Sequence, residues 1–416
     1  MNEYNQNSNL TSKSSFYTNL IIFLLPIFIC IDIKLIGHLF LTECLFAVLL
    51  PILITIKRNN LFSYLRPFLF FALLWLFAQV LTDLFRHTEF NDWTRGWAKI
   101  TFFMLDLFII FKLLNFKENR FLLFFLGLAV GQFCKFIFFP NDFSVGEPWK
   151  FGYGVPLTSL VILLANFCYT KQRPFLMYLL LAGISLLNIS LGFRSLGLII
   201  IATMIFLLFS TINKKKVSTS HRFQIVYKYL GIFSLFFLAF LFYSFVVSSY
   251  YLGENAQEKF SVQSSGDYGL LLGGRTEFFA SSQAVIDSPI IGYGSWAKNA
   301  YYASLMSYEI DLRGYYKNYS IYEKEEIPTH SYLMGAWVEA GILGAIFWFF
   351  IIKKLVNALN KTLFSENPLK VLIFFSLINM MWAILFSPFG AEVRVICAYN
   401  ICIIIYVHYN KKIVKL

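Results

Sequence analysis

Charge is scarce in this sequence. Of its 416 residues, 14% are Asp, Glu, Lys or Arg and 58% are hydrophobic. A soluble globular chain carries about 25% charged and about 45–50% apolar residues. A water-soluble globular domain is thereby excluded, and the composition calls for lipid as solvent. Cysteine is sparse too. The six, Cys30, Cys44, Cys134, Cys168, Cys397 and Cys402, fall in apolar runs and none in the long polar segment. That excludes a disulfide framework there, and no pair has zinc-ligand spacing. They read as small buried apolar side chains. The N-terminus lacks a basic stretch and an A-x-A-like cleavage site, so the first apolar run is expected to be retained. There is no P-loop, no G-x-S-x-G and no D-x-D, so the chemistries those signatures carry have no anchor here. No internal repeat is visible. A net charge of +12 remains, but it is scattered among apolar spans rather than gathered on one element, which argues against nucleic acid as a partner.

What is present is hydrophobic length. A membrane-spanning helix needs about 20 mostly apolar residues. Twelve such runs are predicted, at roughly 16–36, 38–56, 67–83, 97–115, 121–139, 154–170, 174–192, 195–211, 228–251, 330–352, 368–386 and 393–409. Only helices or closed barrels satisfy backbone groups in hydrocarbon, and continuous rather than alternating runs favour helices. The expected fold is an all-α integral membrane protein of about 12 transmembrane helices with one long loop containing short helices. Residues 1–251 would hold spans one to nine, 252–329 the loop and 330–416 the last three spans.

Lysine and arginine set the orientation. One alternate set of connections holds 21 of them, from Lys13 through Lys214, Lys215 and Lys216 to Lys415, and the other set, without the long loop, holds 8. The richer set belongs in the cytoplasm, with both termini. The loop then lies outside. It holds ten acidic and six basic residues, and at this length it is functional or disordered. Its many tyrosines and few prolines argue against disorder.

Within the loop, Thr276 to about Ile286 is predicted helical, with Phe278, Phe279 and Val285 facing lipid or the bundle and Ser282 and Gln283 facing water. Asp287-Ser288-Pro289 would stop it. Gly273-Gly274 turning into a helix start would make an anion site, to which Arg275 adds a planar fork of donors. Arg194, in "LGFRSLG", sits at the outer boundary, where an arginine either faces the bundle interior as a site residue or snorkels. Arg394, in "GAEVRV", has a similar position and Glu392 as a candidate partner. His330 opens the tenth span and is the side chain best suited to move a proton near neutral pH. Glu339 lies nine residues on, too far for a direct pair along a regular helix. Asp106 and Glu43 lie within spans, as relay groups or as hydrogen-bonded structural partners. Glu309 and Asp311 form a lone E-x-D. Tyr293, Trp296 and the loop tyrosines offer flat faces to sugar rings, or form an aromatic belt at the membrane edge.

The order of these motifs resembles the O-antigen ligase and O-antigen polymerase superfamily. Arg275 stands before a loop helix. Asp287-Ser288-Pro289-Ile290-Ile291-Gly292-Tyr293-Gly294 follows, then His330 at the head of a span, then Glu339-Ala340-Gly341-Ile342-Leu343-Gly344. Arg194 in "FRSLG" matches an upstream span start. The similarity covers about residues 190–345, and Ser331 replaces the family's usual asparagine. The resemblance implies an inner-membrane, multi-pass enzyme with a periplasmic loop. It would transfer a glycan from an undecaprenyl-diphosphate donor without metal or other cofactor. Arg194 and Arg275 would stabilise the leaving diphosphate and His330 would act as base or orient the acceptor. Tyr293, Trp296, Arg394 and Glu339 are further substrate-binding candidates. The acceptor would be a lipid-linked repeat (polymerase) or lipid A-core (ligase), with membrane lipids and a chain-length regulator as other partners. A transporter of lipid-linked oligosaccharide is the non-enzymatic alternative; the absence of repeats and the clustering of candidates at one face stand against it.

Overall fold

Long apolar segments joined by short turns fold into helices that pack side by side. A computed structural model describes residues 16–55, 62–212, 277–312 and 325–409, with isolated positions at 231, 234, 257 and 261. The helices are α1 (Phe16–Cys30), α2 (Leu41–Thr55), α3 (Phe62–Arg86), α4 (Phe90–Leu114), α5 (Glu118–Phe138), the short α6 (Asp142–Gly146), α7 (Gly154–Thr170), α8 (Pro174–Ser190) and α9 (Arg194–Ile212). After the undescribed stretch come α10 (Glu277–Asp287), α11 (Ala300–Leu312), α12 (Tyr332–Phe364), α13 (Lys370–Phe386) and α14 (Arg394–Tyr409). Among the described residues, six helical segments are long and apolar enough to cross a membrane: α3, α5, α7 with its preceding turn, α9, α12 and α14 with its preceding turn. The chain is an all-α protein with the helices of a membrane protein.

Eleven of the twelve predicted runs coincide with helices, and the ninth, 228–251, lies outside the described residues apart from positions 231 and 234. α1, α2, α8 and α13 are apolar but shorter than a full span, at 10–17 residues. α4 is long enough but carries Lys99, Asp106 and Lys112 in its apolar part. The first two runs need a correction. Residues 16–36 and 38–56 are not helical throughout; between them Asp32–Lys34 and His38–Phe40 pair as an antiparallel hairpin, β1 and β2. Asp32, Lys34 and Gly37 interrupt the apolar pattern there, and the Asp32 carboxylate takes the His38 ring at 2.7 Å, which closes the turn.

α3 lies along α12, α4 along α14, and α5 beside α1 and α7. At the centre Trp75 stacks on Phe347, centroids 5.4 Å apart, and Phe389 meets both Trp75 and Trp348 edge-on or tilted. Such aromatic contacts add about 0.5–1.5 kcal/mol each beyond their buried area. All six cysteines are free. Because successive helices reverse, the end of α3, the starts of α4, α9, α12 and α14, and the hairpin share one end of the bundle. The helices α10 and α11 dock there, and it is called the loop end below.

Candidate functional site at the loop end

The end of α3 and the start of α4 carry polar groups at helical spacing. Gln79, Thr82, Asp83 and Arg86 recur at i, i+3, i+4 and i+7, as do Asp92, Arg95, Gly96 and Lys99. Each set therefore lines one face of its helix. In a hydrocarbon setting such a stripe must meet polar partners, and here it meets the loop. Asp83 accepts from the Ser295 backbone N–H at 2.6 Å, the Ser295 hydroxyl at 2.7 Å and Trp97 Nε1 at 2.8 Å. Gln79 donates to the Ser295 hydroxyl at 2.9 Å. Thr82 donates to the Ile291 carbonyl at 2.7 Å, and Arg86 to the Gly292 carbonyl at 2.9 Å and Ser288 Oγ at 3.0 Å. Gly96 leaves the space that the Ser295 side chain fills.

The same turn, Pro289 to Gly294, docks on α12 where that helix breaks. Gly341 has φ 65° and ψ −162°, outside helical geometry. Tyr293 N–H donates to the Val338 carbonyl at 2.8 Å and Gly294 N–H to the Glu339 carbonyl at 3.0 Å. Trp337 Nε1 donates to the Pro289 carbonyl at 2.9 Å. The D-S-P-I-I-G-Y-G and E-A-G-I-L-G segments are thus in backbone contact through Gly292 and Gly341. The break in α12 frees carbonyls, and the turn supplies N–H groups to them.

α10 begins and ends within a residue of the predicted helix. Its buried stripe is Ala280, Ser281 and Ala284; of the residues expected to face lipid or the bundle, Phe278 is exposed and Val285 packs against that stripe. Small residues win that face because α10 packs closely on α11 and α12. Asp287 Oδ2 accepts from Tyr302 at 2.7 Å, and the Tyr302 and Tyr293 hydroxyls lie 2.6 Å apart. Burial first, then the Tyr293 and Asp287 hydrogen bonds, push the Tyr302 phenol far above the tyrosine range, so it stays a donor. A hydrogen bond to a charged group contributes about 1.5–3 kcal/mol. Tyr302→Phe is expected to lower thermal stability in detergent by that order, and an unchanged melting temperature would refute it. Lys298 pairs with Asp92 at 2.7 Å and Glu89 at 3.1 Å. The Asp92 hydrogen bond, then that of Glu89, raises Lys298 above the usual lysine range. A raised lysine keeps its contribution below its ordinary pKa and loses it as pH rises through the folded value. Protease sensitivity of the loop is therefore expected to be flat from about pH 7 to about pH 9 and to rise only in stronger alkali.

The sequence candidates distribute as follows. Tyr293 belongs to the docked turn, its ring 5.1 Å from the Arg86 guanidinium. Glu339 pairs with Lys99 at 2.6 Å, largely buried. Trp296 lies under Arg95, guanidinium to ring centroid 3.9 Å, with φ 53°. Arg394 is corrected in its partner. Glu392 goes to Lys135 at 2.6 Å, and Arg394 makes a buried bidentate pair with Glu43 at 2.6 and 2.8 Å. Glu43 is thus a structural partner. Trp296 and Arg394 line one cleft of about 290 Å³, together with Arg95 and Lys99. His330 is exposed just before Ser331, which caps α12 by accepting from Met334 N–H at 3.1 Å and donates to the Ile384 carbonyl at 2.8 Å. The segment before it is held to the loop, Ile327 N–H to the Ala297 carbonyl at 2.8 Å. Arg194 is half-buried and opens α9 after a turn with Gly192 at φ 84°. Arg275 and the Gly273-Gly274 turn lie outside the described residues, as do Tyr315, Tyr316, Tyr319 and Tyr322.

Sequence reasoning missed Asp83, Arg86, Arg95 and Lys99 as organisers of the loop. The two i, i+3, i+4, i+7 polar stripes carried the signal. No protein-family model and no curated protein matches the chain.

Proposed function

We propose that this protein is a membrane glycan polymerase of the O-antigen type, acting at the periplasmic face of an inner membrane through twelve spans, with both termini in the cytoplasm. One observation carries the reading. The two glycine motifs that bear the resemblance, far apart in sequence, lock together at Gly292 and Gly341, at the end of the bundle where Arg194 opens α9 and His330 precedes α12. A packed joint of this kind gives both motifs a common purpose.

In the proposed reaction the donor is a glycan linked through its reducing-end C1 to undecaprenyl diphosphate. The C1–O bond breaks and its electron pair leaves with the diphosphate. The acceptor hydroxyl oxygen of a second lipid-linked repeat bonds to C1, and its proton passes to the His330 ring and then to water. Arg194 and Arg275 bind the diphosphate as its charge grows, by paired charge-assisted hydrogen bonds. Deleting one preorganised donor of this kind costs about 10²–10³ in rate. Arg275→Ala is expected to lower glycan transfer by about that factor, and His330→Ala by about 10²–10⁴, with protein level unchanged. Normal product from both removes the site assignment.

Deleting the gene in a host of known surface polysaccharide and sizing its lipopolysaccharide tests the reaction. Core plus one repeat supports the polymerase. Core alone, with long chains held on the lipid carrier, means a ligase that passes the chain to lipid A-core. Repeat units trapped inside the cell mean a transporter. Orientation is tested at Tyr301, which is exposed. Tyr301→Cys should react with an impermeant thiol reagent from the periplasmic side, and labelling from the cytosol alone overturns the scheme. Ser331 is a poor reporter, because its hydroxyl caps α12.

A further inference from the structure

We infer that the cleft between the β1–β2 hairpin, the start of α4 and the start of α14 holds the phosphate-bearing end of a second lipid, additional to the donor lipid of the proposed reaction. Three cations, Arg95, Lys99 and Arg394, line this cleft of about 290 Å³, and among the described residues no carboxylate does. Lys99 and Arg394 are neutralised from behind by Glu339 and Glu43. Arg95 differs. Its only ion pair among the described residues is with Asp92 at 3.7 Å, and Asp92 is held more closely by Lys298 at 2.7 Å. Its guanidinium lies over the Trp296 ring, 3.9 Å from the centroid. A guanidinium held against an aromatic ring keeps donors to offer an oxyanion, and its fork of N–H groups suits phosphate. Trp296 is held there in a backbone conformation unusual for a bulky residue, φ 53°. It is anchored by the neighbouring Ser295 on Asp83, and its own Nε1 is buried with no hydrogen-bond partner.

The walls determine what kind of anion fits. Leu35, Ile36, Leu39 and Phe102 also line the cleft, and Leu35 and Ile36 at the hairpin tip are 73% and 52% exposed. Apolar surface therefore runs from the cations out to the surroundings, as an amphiphile requires and a free inorganic anion does not. The volume equals on the order of ten waters, enough for a headgroup and the first carbons of a chain and too small for a glycan. A transfer between two lipid-linked glycans needs two lipid diphosphates at once. Arg194 does not line this cleft, so the cleft takes the acceptor's carrier. That last assignment rests on the proposed function, whereas the binding itself is measured without turnover.

The test is equilibrium binding of farnesyl diphosphate, farnesol and inorganic pyrophosphate to the purified full chain in detergent. Two farnesyl diphosphate molecules per chain are expected, and one in Arg194→Ala/Arg275→Ala. In that background Arg95→Gln should weaken the remaining site by about tenfold or more, and Ile36→Glu, which sets a carboxylate at the exposed mouth, should do the same. Pyrophosphate binding as tightly as farnesyl diphosphate overturns the lipid assignment. Farnesol binding as tightly, or no effect of either substitution, overturns the anion site. Binding as expected in a protein that shows no glycan transfer leaves the cleft standing and removes the polymerase.

Discussion

Gly341→Ala is expected to lower the proposed glycan transfer by about 10²-fold or more, the scale of effect when a reactive centre shifts by about 1 Å, and to lower thermal stability. Two physical terms act together. The backbone at φ 65° and ψ −162° belongs to a region essentially reserved for glycine, where another residue costs of order 1–3 kcal/mol. A β-carbon there would also run into the Ile290 carbonyl oxygen, a backbone atom that cannot rotate away. The docked turn must lift off α12, and with it go the hydrogen bonds of Tyr293 and Gly294 to Val338 and Glu339. Gly292→Ala should fail in the same way from the other side, since its β-carbon would stand 2.7 Å from the Gly341 nitrogen. Gly335→Ala on the same helix is the control. Its β-carbon would meet only the Thr329 side chain at an ordinary 3.5 Å, and activity should be kept. A full-length polysaccharide ladder from Gly341→Ala would sink the idea that this joint organises the site.

Glu43→Gln is expected to be the most destabilising conservative change in the bundle, by about 3–5 kcal/mol, because it leaves a buried guanidinium without its counter-charge. The Arg394 and Glu43 side chains are 4% and 0% exposed. The pair also ties separate elements together. Glu43 Oε2 accepts the Phe40 N–H at 2.8 Å, and Arg394 donates to the His38 carbonyl at 3.1 Å. The hairpin, α2 and α14 thus meet at one carboxylate. Removing both charges, in Glu43→Gln/Arg394→Met, should recover most of the lost stability, since burying a charge pair costs desolvation that a well-packed apolar side chain avoids. Melting temperatures of the purified single and double variants in one detergent decide this. A single variant as stable as the unmodified protein would show that solvent reaches the pair.

The membrane class, the helical architecture and nearly every helix position were legible as sequence, because a spanning helix leaves a local, contiguous apolar signature. The same holds for the start and stop of α10, set by Asp287-Ser288-Pro289. The hairpin at 32–40 was not legible, since a short strand pair beside apolar runs looks like their continuation. Arg394 was assigned to its near neighbour Glu392, but Glu43, more than three hundred residues away in the chain, holds it. Nor did the spacing of His330 and Glu339 reveal that Glu339 serves Lys99.

Sequence alone therefore determined that this chain is a helical protein of the bilayer with a polar loop, one glycine motif in that loop and a second in the span after it. Only the tertiary structure decided that those motifs interlock, that α3 and α4 supply the polar stripes which hold the loop, and which charges neutralise which. The physical reason is range. Hydrophobic periodicity is written into neighbouring residues, whereas a buried charge is satisfied by whatever partner the folded helices bring within hydrogen-bond distance, at any separation along the chain.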